Sequence, residues 1–256
     1  MQCRENHSYD ISREGYVNLL LPNMKRSSSP GDSLEMIRSR NRFLSAGHYA
    51  RLPELLTCEI ENYLQGIAPA ECSILDAGCG EGYILSILEN RINYRKTKLF
   101  GIDISRDAVK TASKRNSRIS CAVAGLFSMP VADGSVNCLL NIFAPSPADE
   151  FKRVLAPGGI LIHVHPGDEH LYSLREKLFT EIMPLRKDDK LAQSFTLRST
   201  EELKYHFTIT GKDNLADLVN MTPYAWKTGK ERIAGFLAET DTLETTAHFI
   251  VSIYVI

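Results

Sequence analysis

The segment Asp76-Ala77-Gly78-Cys79-Gly80-Glu81-Gly82 places an acid ahead of three glycines at alternate positions. Glycines let a backbone approach a ligand closely, and a helix beginning near Tyr83 would aim free N–H groups at it. A dinucleotide fingerprint spaces its glycines Gly-x-Gly-x-x-Gly and seats a pyrophosphate on the helix N-terminus. Here the spacing differs, and Asp76 sits where it would repel a pyrophosphate. A carboxylate suits a cofactor with a cationic amino acid end, which S-adenosylmethionine carries. Asp103 closes a second apolar run, Leu99-Phe100-Gly101-Ile102, 21 residues after Gly82 (103 − 82). A carboxylate there can accept hydrogen bonds from both hydroxyls of a ribose, a sugar common to both cofactors.

Those residues need strands to carry them. Ser73 to Asp76 reads as strand, Tyr83 to Glu89 as helix, Leu99 to Ile102 as strand, and Ser105 to Ser113 as helix with Ser105 able to cap it. Ser120 to Ala124 and Val136 to Ile142 continue the strands, Ala148 to Val154 is a helix, and Pro157-Gly158-Gly159 turns into the strand Ile160 to Val164. This alternation predicts an α/β fold, a doubly wound and mostly parallel sheet, with the ligand at the carboxyl ends of the strands. Upstream, residues 1–33 form a polar N-terminal segment ending in the linker Ser27 to Asp32, and residues 34–256 form the main domain. Helices are expected from Ser33 and over Leu52 to Leu64. Later elements are a helix around Leu171 to Phe179, strands near Phe195 to Leu197 and His206 to Thr210, and an apolar run from Ala247 to Ile256.

At 256 residues the chain suits one large domain or one with an appendage. No run approaches the length of a membrane helix and no secretory signal is present, so a cytoplasmic protein without a membrane partner is expected. Six scattered cysteines read as reduced core residues rather than a disulfide framework. A net charge of −1 argues neither for nor against nucleic acid, because phosphate binding depends on where basic groups cluster.

Several blocks resemble the bacterial 23S rRNA guanine-N1 methyltransferases. They are Glu14 to Leu20, Pro30-Gly31-Asp32-Ser33, Arg42 to Tyr49, Asp76 to Tyr83, Phe143-Ala144-Pro145, Val154 to Gly159 and Met221-Thr222-Pro223. The resemblance implies a Rossmann-like fold of the class I S-adenosylmethionine-dependent methyltransferase type and rRNA as the methyl acceptor. It further implies that Tyr49, Gly80, Glu81 and His170 line the cofactor site, beside Asp76, Gly78, Gly82 and Asp103 from the loop itself. Family members bind zinc in an N-terminal module through a Cys-x-x-Cys pair followed by a Cys and a His. Only Cys3 and His7 match that pattern, an incomplete remnant of the four ligands a structural zinc needs. A second departure is Ala124-Gly125, where many methyltransferases place an Asp for the adenine amino group.

The acceptor side is less sharply marked. Asn141, just before Phe143-Ala144-Pro145, could orient a purine edge or could be a strand-end turn residue, and His163 and His165 share a strand face in structural roles. From Met24 to Arg42 five basic residues (Lys25, Arg26, Arg38, Arg40, Arg42) face two acids (Asp32, Glu35), a patch able to meet RNA phosphates. Tyr16, Tyr224 and Trp226 could stack on splayed bases. A small-molecule methyltransferase on the same scaffold and a non-catalytic cofactor-binding protein are the alternatives. The oligomeric state stays open, a homodimer being one option.

Overall fold

A computed structural model describes residues 6, 8–21, 30–66, 71–92, 96–182 and 190–256. Its centre is one sheet of eight strands: β1 (Val17–Asn18), β2 (Cys72–Ala77), β3 (Thr97–Asp103), β4 (Ser120–Val123), β5 (Val136–Ile142), β6 (Leu155–Pro166), β7 (Thr196–Thr210) and β8 (Thr242–Val255). Their spatial order is β1-β4-β3-β2-β5-β6-β8-β7. The first six run parallel, and β8 lies antiparallel between β6 and β7. The order reverses between β2 and β5, which opens a crevice at their carboxyl ends.

Side-chain alternation builds the two faces. Ile74, Leu140 and Ile162 join a cluster with Leu56 and Ile60 of α2 (Arg51–Gly66), Leu85 of α3 (Tyr83–Arg91) and Val109 of α4 (Arg106–Arg115). Their strand neighbours Leu75, Leu139 and Leu161 join a second cluster with Phe151 of α5 (Ala148–Val154) and Leu191 of α7 (Lys190–Ser194). Burial on both faces explains why these strands read as near-continuous apolar runs. The remaining helices are α1 (Leu34–Ser45), α6 (Tyr172–Leu178), α8 (Lys212–Asn220), α9 (Tyr224–Lys227) and α10 (Lys230–Glu239). Ser105 caps α4 as expected, its Oγ accepting from the Ala108 N–H at 3.4 Å, and Ser33 caps α1 in the same way, its Oγ accepting from the Met36 N–H at 3.2 Å.

The structure departs from the sequence expectations in the last third and at the N-terminal edge. Two short strand candidates there are parts of one 15-residue β7, and β8 begins at Thr242 rather than Ala247. Buried Thr245, Thr246, His248 and Ser252 break the apolar pattern that would have announced β8 in full. On the other side β1 pairs with β4, and Tyr16 and Leu20 enter the core, so the described residues 16–20 dock onto the domain.

Candidate active site

The glycine loop is pinned to the end of β3. Gly78 and Cys79 donate to the Ile102 carbonyl at 2.9 and 3.0 Å, and Gly80 N–H donates to Asp103 Oδ2 at 3.0 Å. The other oxygen of Asp103 accepts from the Ser105 N–H at 2.8 Å, so this acid orders the loop while keeping lone pairs for a sugar. Gly78 has φ +96°, and a Cβ there would lie 2.5 Å from Ala144 Cβ. At Gly82, φ is +76° and a Cβ would meet Ala112 Cβ at 2.8 Å. Gly80, with φ +54°, meets only the tip of Arg40 at 3.7 Å, leaving that face of the loop open.

Three acids converge here. Asp76 is 2% exposed, and its Oδ1 has no hydrogen-bond partner. Burial first, then the charges of Asp103 and Glu81, raise its pKa to about 8. Burial also raises Glu81, although Arg40 and Arg115 act against that shift; Arg115 Nη2 stands 3.7 Å from Glu81 Oε1. Asp103 is raised by burial against the two backbone bonds that lower it. A buried carboxyl oxygen without a partner is costly, so it calls for a cationic donor.

Tyr49 and His170, 121 positions apart, are brought together: the Tyr49 hydroxyl lies 3.2 Å from His170 Nε2. His170 Nδ1 accepts from the His248 N–H at 3.2 Å, so the neutral ring carries its proton on Nε2 and donates it to the Tyr49 oxygen. Burial lowers the His170 pKa to about 3 and raises that of Tyr49 well above its ordinary value, so both stay neutral. Phe143, half exposed with φ +54°, places its ring 5.6 Å from that of His170.

Of the two readings of Asn141, the strand-end structural one fits its contacts, which lie within the protein. It is fully buried, its Nδ2 donates to the Ala77 and Pro145 carbonyls at 3.1 Å each, and its Oδ1 lies 2.9 Å from His163 Nδ1. It brackets β2, β6 and the Phe143-Ala144-Pro145 turn. Tyr16 is likewise a core residue, 3% exposed, with its hydroxyl accepting from Arg106 Nε at 3.0 Å. Tyr224 packs edge-on against Phe179, whereas Trp226 is 60% exposed. In the basic stretch, Arg40 pairs with Asp32 and Arg42 with Asp217, while Lys25 and Arg26 lie outside the described residues. Gly125 offers backbone alone, with open space where a Cβ would stand. Cys72, Cys79, Cys121 and Cys138 are buried free thiols.

Residues 74–159 match the family described as "Methyltransferase domain". Residues 1–28 match a zinc-ribbon family described as "RlmA, N-terminal". The 23S rRNA (guanine(748)-N(1))-methyltransferase of Streptomyces fradiae is 32% identical over 93% of this chain and 84% of its own length. A Micromonospora griseorubida protein described as "Putative 23S rRNA (guanine-N(1)-)-methyltransferase" is 33% identical over 93% of this chain and 84% of its own. A Bacillus subtilis counterpart is 33% identical over 91% and 83%. The chain belongs to the 23S rRNA (guanine-N1)-methyltransferase family. It is an S-adenosylmethionine-dependent methyltransferase, and the zinc-ribbon match marks its N-terminal stretch.

The site of this methyltransferase fits its cofactor on two counts. The partnerless Asp76 oxygen suits an ammonium, and the open face of Gly80 suits a close backbone approach. For zinc, Cys3 and His7 fall in the zinc-ribbon stretch but outside the described residues, and two donors alone do not make a four-ligand set. Among the described residues, no group of three or more His, Cys, Asp or Glu side chains could hold a metal ion. No helix among them is long and apolar enough to cross a membrane.

Proposed function

We propose that the acceptor of this methyltransferase is N1 of a guanine in 23S rRNA, and that the protein works in the cytoplasm. The observation carrying this reading is identity of 32–33% to the relatives over more than nine-tenths of the chain. Residues 34–256 carry the chemistry, with 1–33 as an N-terminal segment. The cofactor is held by Tyr49, Asp76, Gly78, Gly80, Glu81, Gly82, Asp103 and His170. When bound, it supplies an electrophilic methyl on a sulfonium.

The protein's work is then alignment and exclusion of water. Asp76 in its ionised form meets the ammonium, and Asp103 keeps lone pairs for the ribose while its backbone bonds hold the loop. Tyr49 is not the base that receives the guanine N1 proton, because burial raises its pKa well above the ordinary value and the phenol stays protonated. Nor is His170, because Nδ1 is occupied and Nε2 carries a proton. The pair instead forms a neutral wall whose remaining hydroxyl proton is a donor. Phe143 offers an exposed ring beside that wall, and Asn141 fixes the turn that carries it.

The test supplies labelled cofactor with unmodified 23S rRNA or with a metabolite extract. Label should enter the RNA, and primer extension should stop at one guanine, because a methyl on N1 blocks pairing. Label confined to small molecules would instead establish a metabolite methyltransferase.

A further inference from the structure

The amino acid end of the cofactor is a zwitterion, and the acids around the glycine loop answer only its positive half. The negative half needs a donor. Arg40 reaches the loop from α1: its Nη1 lies 3.7 Å from where a Cβ of Gly80 would stand, the position that a closely approaching ligand would use. The same Nη1 grips a carboxylate already, donating to Asp32 Oδ2 at 2.5 Å. Nη2 donates to the Met221 carbonyl at 3.2 Å, which fixes the plane of the guanidinium. Two of its five N–H groups account for those bonds, and the side chain is about a quarter exposed. The neighbouring Arg115 is turned toward Glu81 instead: its Nε donates to the Glu81 carbonyl at 3.2 Å, its buried Nη2 stands 3.7 Å from Glu81 Oε1 without a hydrogen bond, and its guanidinium stacks over Tyr83.

We infer that Arg40 binds the carboxylate of the cofactor's amino acid end, opposite the Asp76 carboxyl that meets its ammonium. The assignment rests on the cofactor reading of the loop. Asp32 plays the part of a stand-in: its carboxylate presents to Arg40 the same acceptor atoms that a ligand carboxylate would bring. Because Asp32 and Met221 lie on segments far apart in the chain, Arg40 also joins α1 and the turn after α8 to the bound ligand.

The test compares S-adenosylmethionine with its decarboxylated analogue by calorimetry. Wild-type protein should prefer the carboxylate-bearing compound by about 10- to 100-fold, the usual worth of a charge-assisted pair. Arg40→Gln should lose that preference while binding the analogue as wild type does. Arg40→Lys, which keeps the charge but not the fork, should retain part of it. Asp32→Asn leaves Arg40 in place and should keep the full preference. Were Arg40 merely a structural tie, Arg40→Gln and Asp32→Asn would weaken both compounds alike, and that result would overturn the assignment. Wild-type protein that bound neither compound would bring down the cofactor reading, and the assignment with it.

Discussion

Asp76 carries its own pH signature. Its folded-state pKa, about 8, lies above the 3.8 of a free carboxyl, so the folded chain holds a proton that the unfolded chain releases. Stability without ligand is therefore full below pH 4 as far as this group is concerned, and falls as pH climbs from 4 to 8. The slope approaches about 1.4 kcal/mol per pH unit. Asp76→Asn should flatten that part of a urea-unfolding series, because the amide has no proton to lose. The same change should weaken cofactor binding by about 1.5–3 kcal/mol, the worth of a hydrogen bond to a charged group. For the wild type at pH 7, binding an ammonium should expel a proton from Asp76, detectable as buffer-dependent binding enthalpy. A binding enthalpy identical in buffers of different ionisation heat would contradict the assigned role.

The glycine loop, taken as an element, ranks its own substitutions. Left-handed φ costs a non-glycine residue about 1–2 kcal/mol, and overpacking adds about 1–3 kcal/mol. Gly78→Ala and Gly82→Ala incur both costs, from Ala144 and Ala112, whereas Gly80→Ala meets only a movable arginine tip. Thermal melts should thus show Gly80→Ala, at φ +54° with the left-handed cost alone, lowered least and the other two clearly lower, though Gly80→Ala should still impair cofactor binding. Equal losses at all three would refute the steric account. This loop was legible in sequence because its chemistry is local: spacing, a leading acid and a capped helix all lie within a few dozen residues. Asn141 stayed open between two readings in the sequence because its partners, Ala77 and His163, come from other strands. The pairing within the basic stretch was hidden for a similar reason, since Asp217, the partner of Arg42, lies 175 positions away. Likewise, nothing local to Tyr16 shows that β1 will carry it into the core.

At the scale of the whole molecule, the sheet depends on a strand from the end of the sequence. β8 occupies the place between β6 and β7, so a chain lacking residues 242–256 leaves β6 with one neighbour and β7 with none. Such a chain should lose its cooperative melt and collect in the insoluble fraction; a soluble product with a sharp transition would show that the parallel half stands alone. The edges of the sheet are blunt: β1 spans two residues, and β7 carries Arg198, Glu201, Glu202 and Lys204 along a mostly exposed strand. Those charges have a second use during synthesis. Thr210 and Thr242 are separated by 31 residues (242 − 210 − 1), and at about 5–20 residues per second β7 waits roughly 2–6 s for its sole partner. For that interval its backbone lacks its sheet partner, and the charges strung along it disfavour pairing with the edge of another chain.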